Sequence, residues 1–403
     1  MSTIQTTGSR GEGVQSDCFV SMNLDAGKTN MVIVNSKVKA MYGNSIKELA
    51  LDMLSYFGVT GARLEIDDSG ALPFTLAARI EALIKKHIQT DKEYLLPALS
   101  RNLYSTAKDA ERVTRLYLPG NNPKLMINAG IYGSHGIILD LEDSVAPDRK
   151  FEARFLVRNA LRSVDFYNAE RMVRINQLPD GLEDLQCCVP HGVNLILIPK
   201  CERADQVVLV DQGIEKILKR ANNSIHLMPI VESAAGVMNA YEIARASDNV
   251  VALAIGLEDY TADLGVSRSP ESRESFFARS MVVNAARAAG IQPIDSVFSD
   301  IDNMEALAHA VKESQALGFD GMGCIHPRQI AVIYENFLPG EGEIQKAIKI
   351  MLAAEKAAKE GSCVTVLDSK MIDPPVVKRA IQTVEKAMKA GKLAKNWREG
   401  YES

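Results

Sequence analysis

Ionisable side chains recur at the ends of short apolar runs through the second half of this 403-residue chain. The runs end in Asp140, Glu142 and Asp143, in Arg174 and Asn176, in Lys200, in Glu232, in Glu258 and Asp259, in Asp295 and in His326. Glu232 and Asp259 close successive runs, so their carboxylates can converge on one cation. A hard ion such as Mg²⁺ takes oxygen ligands and keeps waters that a substrate can replace. Arg115 and Arg174 can each grip a carboxylate through a planar fork. The set points to a metal-assisted reaction on a small oxo- or hydroxy-acid. For any one of these residues, loop capping or ion pairing is an even alternative. A salt bridge from Arg115 to Glu142 or Asp143 is one such case.

Lys200 carries a competing chemistry, because an amine at a strand end can form a Schiff base with a ketone. The surrounding carboxylates should keep it protonated, so a charged-partner role is the favoured reading. Gly27-Lys28-Thr29 looks like the end of a phosphate loop, but the earlier glycine would fall at Met22. No G-x-G-x-x-G follows a strand and no G-x-S-x-G elbow occurs. Cysteines stand at 18, 187, 188, 201, 324 and 363, with no C-x-x-C spacing, which suits reduced thiols in a cytoplasmic protein.

The residues need a frame. Runs at Arg115–Gly120, Gly136–Asp143, Arg171–Asn176, Asn194–Lys200, His226–Glu232, Val250–Asp259, Ile291–Phe298 and Gly318–Pro327 alternate with helix-period segments such as 148–163 and 272–289. Eight buried strands alternating with helices predict an α/β fold, a (β/α)8 TIM barrel, with its chemistry at the carboxyl ends of the strands. A doubly wound sheet is the runner-up. Before it, residues 1–88 predict a small α+β domain. Its strands are Cys18–Leu24, Asn30–Asn35 and Ala62–Ile66, with a turn at Asp25-Ala26-Gly27 and helices at Asn44–Phe57 and Leu76–His87. The first fifteen or so residues lack hydrophobic periodicity and are expected to be mobile until something orders them. Residues 89–112 form a linker rich in helix formers, 113–340 the barrel, and 341–403 a helical extension or lid. Charge of −5, 46% hydrophobic and 24% charged residues describe an ordinary globular chain. The mild acidity argues against nucleic-acid binding, and no apolar run approaches the ~20 residues of a membrane span.

The motifs Arg115-Leu-Tyr-Leu-Pro-Gly120, Ile138-Leu-Asp-Leu-Glu-Asp-Ser-Val145, Arg174-Ile-Asn176, Pro199-Lys200, Ile230-Val-Glu-Ser-Ala-Ala-Gly-Val237, Gly256-Leu-Glu-Asp-Tyr-Thr-Ala-Asp-Leu-Gly265, Cys324-Ile-His-Pro327 and Met371-Ile-Asp-Pro-Pro375 follow in order. Over 113–385 the chain resembles the citrate lyase β-subunit family of acyl-thioester lyases, which includes malyl-CoA and citramalyl-CoA lyases. The resemblance implies that Glu232 and Asp259 ligate Mg²⁺. It implies that Arg174 contacts the oxo-acid, and Arg115 the substrate near the thioester. Glu142 and Asp143 would support the metal waters and the arginines. Asp373 would transfer a proton from the lid of a neighbouring subunit, in trimers or multiples of trimers. One departure is Gly321-Met-Gly-Cys324, where a lysine commonly follows the first glycine and contacts the thioester arm.

Gly13-Val-Gln-Ser-Asp17, Asp67-Asp-Ser-Gly-Ala-Leu72 and Ala77-Ala-Arg-Ile-Glu-Ala-Leu83 resemble the citrate lyase acyl carrier (γ) subunit. That likeness implies a phosphoribosyl-dephospho-CoA arm on Ser16, making the chain a phosphoprotein. The implied activity is cleavage of a citryl or citramalyl thioester to acetyl thioester plus oxaloacetate or pyruvate. A separate transferase α subunit is the expected partner. The alternatives are a lyase acting on free CoA thioesters with an unmodified carrier domain, and a non-catalytic carrier or scaffold subunit.

Overall fold

The computed structural model describes residues 5–24, 27–269 and 271–400. The turn expected at Asp25-Ala26 lies outside them. The chain forms two compact units, one ending at Ile330 and one beginning at Ala331.

The first unit opens with four strands, β1 (Gln5–Gly8), β2 (Cys18–Asn23), β3 (Met31–Ser36) and β4 (Arg63–Asp68), in the order β1-β2-β4-β3. β2 runs antiparallel to both β1 and β4, and β3 runs parallel to β4. Cys18, Val20 and Met22 alternate inward from β2 and meet Leu64 and Ile66 of β4, as the two-residue period of a strand requires. Helices Lys39–Phe57 and Pro73–His87 cover this face. The second has proline at its start, where a missing N–H costs nothing, and every residue from Phe74 to Ile84 is buried. A helix buried all round must be covered on two sides. One cover is the sheet and the other is helix Lys150–Ser163 of the barrel.

β1 departs from the mobile start expected. Gln-Thr-Thr-Gly shows no apolar period, so its order comes from partners rather than from its own burial pattern. It pairs with β2, the Thr7 hydroxyl donates to the carbonyl of Arg79 (2.8 Å), and Lys86 donates to the carbonyl of Thr6 (2.9 Å). Gly8, at φ +78°, lies against the carbonyl of Cys18, where a side chain has no room.

Residues 88–113 are irregular apart from one short 3-10 turn, Ser100–Asn102, so the helix formers there do not nucleate a helix. The eight expected barrel strands follow. They are β5 (Thr114–Pro119), β6 (Gly136–Asp140), β7 (Glu170–Arg174), β8 (Leu195–Ile198), β9 (His226–Val231), β10 (Ala252–Ile255), β11 (Gln292–Asp295) and β12 (Gly321–Cys324). All neighbours are parallel, and β12 pairs with β5 to close the barrel. Ile138, Met172, Leu195, Leu197, Met228 and Ile230 pack its interior, leaving the polar residues to the strand ends.

The second unit holds helices Glu341–Lys359 and Pro374–Lys389 and a hairpin of β13 (Thr365–Leu367) and β14 (Lys370–Ile372). Ile344, Ile348, Ile372, Val384 and Trp397 form its core. Among the described residues no helix is long and apolar enough to cross a membrane.

Candidate active site

A pocket of about 340 Å³ opens at the carboxyl ends of the barrel strands. Alternation along β5 points Arg115, Tyr117 and Pro119 into it, and β6, β7, β9 and β10 deliver Asp140, Arg174, Glu232 and Asp259 to its rim.

Arg174 organises one side. Its Nε and Nη2 donate to the two oxygens of Asp140 at 2.6 and 2.8 Å. Its Nη1 lies 2.9 Å from Glu142 Oε2 and 3.9 Å from Asp143. Burial works to raise the Asp140 carboxyl, but the Arg174 fork outweighs it and holds Asp140 below the usual carboxylate range. Glu142 moves the other way: burial raises it despite Arg174. Gln177 donates to Glu142 (3.1 Å). Neither Gln177 nor Tyr117, half-buried with Arg174 over its ring at 5.4 Å, was singled out from the sequence. The period-two pattern of Arg115-Leu-Tyr-Leu carried the signal for Tyr117.

Glu232 and Asp259 line the other side of the pocket, close enough for each carboxylate to feel the other's charge. Glu232 is 5% exposed, and burial, then Asp259, pushes its carboxyl up to about 8. Gly256 makes the approach possible, since a Cβ there would stand 2.6 Å from Glu232 Oε2. The backbone N–H of Lys200 donates to Glu232 Oε1 (3.0 Å). Lys200 Nζ then reaches Glu142, Asp143 and Asp259 at 3.4, 3.7 and 3.5 Å. Together these carboxylates outweigh desolvation, the largest single effect, and raise the Lys200 ammonium, so the neutral amine a Schiff base needs is disfavoured.

Among the described residues no group of three or more His, Cys, Asp and Glu side chains is arranged to hold a metal ion. Two carboxylates facing a pocket with room for water still fit Mg²⁺, which is bound through one or two carboxylates and keeps much of its water. A soft or tetrahedral ion finds no sulfur or imidazole donors here.

Arg115 lies deeper, near the start of β5, and is 2% exposed. The bridge to Glu142 or Asp143 is not made, because Arg174 and Lys200 take both carboxylates. Its Nη1 faces Met228 Sδ at 3.7 Å and its buried Nε has no partner. Burial lowers it to about 10. A buried guanidinium without a carboxylate is costly unless an anion completes it.

Other expected residues are committed elsewhere. Asp295 pairs with Arg279 (2.6 Å), Glu258 with Arg268 (2.7 Å), and Asn176 braces Asp184. His326 Nδ1 accepts from the Arg328 N–H at the start of a helix. Asp373, in the second unit, caps helix Pro374–Lys389 by accepting from Val376 N (3.1 Å).

Ser16 is half-buried at φ +59°, next to a buried Asp17. Arg79 donates to both Asp17 oxygens (3.0 and 2.9 Å) and to the carbonyl of Asn121, in the loop after β5 (3.0 Å). Glu152 lies 3.5 Å from Arg79 and accepts from Gly8 N (2.9 Å). Below, Arg158 grips Glu81 with both side chains fully buried. This network ties the residue after Ser16 to the loop after β5.

Residues 114–327 match the HpcH/HpaI aldolase/citrate lyase family, and residues 7–87 match the malonate decarboxylase delta subunit family. Citrate lyase subunit beta of Leuconostoc mesenteroides subsp. cremoris is 40% identical over 287 residues, 70% of this chain and 95% of that one. Human mitochondrial citramalyl-CoA lyase is 31% identical over 303 residues, 72% of this chain and 89% of that one. The crystal structure of CitE from Mycobacterium tuberculosis with magnesium, acetoacetate and coenzyme A matches with a TM-score of 0.60 and 29% identity. It spans 70% of this chain and 99% of that one.

Proposed function

The chain belongs to the HpcH/HpaI aldolase/citrate lyase family of carbon–carbon lyases, and on that footing we propose that it cleaves a 3-hydroxy-3-carboxy acyl thioester carried on an arm at Ser16. The products are an acetyl thioester and oxaloacetate or pyruvate. The observation that carries this reading is the pairing, in one pocket, of an acidic rim at Glu232 and Asp259 with a buried Arg115 that has no carboxylate of its own. A substrate with a carboxylate beside its hydroxyl presents an anion for the arginines and oxygens for the rim.

Glu232 and Asp259 would hold Mg²⁺, which supplies Lewis-acid stabilisation of the alkoxide that collapses to the ketone. Arg174, locked by Asp140 and Glu142, orients the oxo-acid half. Arg115 balances the charge deeper in the pocket. The hydroxyl passes its proton to water in the pocket, the C2–C3 bond breaks, and its electron pair becomes the thioester enolate. Asp373, from a neighbouring subunit's lid in a trimer or a multiple of trimers, returns a proton to that carbon. A transferase subunit then exchanges the acetyl group for a fresh acid.

The carrier reading is supported by the docking of the small domain on the barrel: Arg79, which holds Asp17 next to Ser16, also donates to the carbonyl of Asn121 in the loop after β5. A lyase using free CoA thioesters is the second reading, favoured by the coenzyme A bound to the Mycobacterium tuberculosis relative. Asp259→Ala should abolish Mg²⁺-dependent cleavage of either substrate, and unchanged cleavage overturns the proposal. Ser16→Ala separates the readings. It should stop turnover on the arm while leaving free-thioester cleavage intact.

A further inference from the structure

Among the described residues, Lys200 is the one cation whose side chain lies within 4 Å of both Asp259 and the Glu142–Asp143 pair. Its backbone sits in the left-handed region at φ +47°, where a residue with a Cβ is strained. That turn sends the N–H to Glu232 while the ammonium lies among Glu142, Asp143 and Asp259. The two residues that follow hold the turn: Cys201 N donates to the carbonyl of Ile230, and Ser233 Oγ donates to Glu202. Nζ is shared among the three carboxylates at 3.4 to 3.7 Å, longer than the usual range for a tight ammonium–carboxylate bond. The side chain is 32% exposed. It balances the rim without being fixed to it.

We infer that Lys200 is a resident counter-ion for the metal pair, holding Asp259 and the Glu142–Asp143 side together until a divalent cation takes over, and then turning out of the rim. This rests on the reading that Glu232 and Asp259 bind Mg²⁺. An internal ammonium that must leave lowers the affinity for the metal alone. It also leaves the rim balanced between turnovers, when four carboxylates would otherwise face one another with only Arg174 between them.

The test is titration of the whole chain with Mg²⁺ by calorimetry, without substrate, beside the rate at which acetic anhydride labels Lys200 in peptide maps. Lys200→Met should bind Mg²⁺ about tenfold more tightly, and Mg²⁺ should speed labelling of Lys200 in the unsubstituted chain. Lys200→Arg, which keeps the charge, should retain the weaker affinity. Equal or weaker binding by Lys200→Met overturns the inference. So does labelling that Mg²⁺ leaves unchanged, which makes Lys200 a fixed bystander. If the unsubstituted chain and Asp259→Ala give the same Mg²⁺ isotherm, it is the metal assignment that fails instead.

Discussion

The guanidinium of Arg174 meets Asp140 through two parallel bonds, Nε to Oδ1 at 2.6 Å and Nη2 to Oδ2 at 2.8 Å, and keeps Nη1 for Glu142 at 2.9 Å. One side chain thus aligns the ends of β6 and β7. Lysine carries the same charge but a single point donor, and cannot span two carboxylates in a plane. Arg174→Lys should lower kcat on the order of 10²-fold, with the chain still folded by circular dichroism. A kcat within a few-fold of the parent would mean that the charge, not the fork, is what the site uses.

Glu232 predicts a pH response. Its carboxyl is raised from 4.5 to about 8, first by burial and then by Asp259, so the folded metal-free chain binds a proton that the unfolded chain has lost. Stability of the metal-free protein should therefore fall as pH climbs from about 4.5 toward 8 and level off above. Glu232→Gln should flatten that part of the curve. Mg²⁺ affinity should rise over the same interval, because the ligand must be ionised, with proton release on binding that fades above pH 8. Thermal melts and calorimetry in buffers of different ionisation enthalpy measure both.

Much of this was readable in the chain. The eight barrel strands are short apolar runs because both faces of a parallel strand are covered, and the ionisable residues at their ends marked the pocket. Two kinds of feature were not readable. β1 has no apolar period, since an edge strand held by Arg79 and Lys86 needs none. The alternative bridge from Arg115 to Glu142 or Asp143 could not be decided, because a linear reading shows which strand ends carry charge, but not that Arg174 and Lys200 reach those carboxylates first. Gly256 likewise looked like any strand-end glycine, and only its closeness to Glu232 explains it.

The Arg158–Glu81 pair joins the small domain to the barrel with both side chains inaccessible. Removing one partner strands a charge, so Arg158→Ala should cost about 3–5 kcal/mol. Replacing both by methionine should cost less, because the charges left without these partners, Glu93 and Lys85, are the more exposed ones. Denaturant titration of the two variants checks the difference. Equal losses would show that the pair serves packing rather than charge compensation.

If the arm on Ser16 serves the barrel on which its own domain is docked, chains that lack one function cannot rescue chains that lack the other. Mixed assemblies of Ser16→Ala and Asp259→Ala chains should show no turnover on the arm. Restored turnover would mean that the arm crosses between subunits.

The buried ion pairs at the domain boundary also bear on whether the chain can be divided. Glu152 and Arg158 on the barrel, Arg79 and Glu81 on the small domain, are hidden only because the two are joined. A barrel released from its amino-terminal neighbour would expose an uncompensated set of charges on a helix shaped to be covered. Cutting the chain between the two domains would therefore damage both products at once, since each half would carry the desolvated side of the same ion pairs.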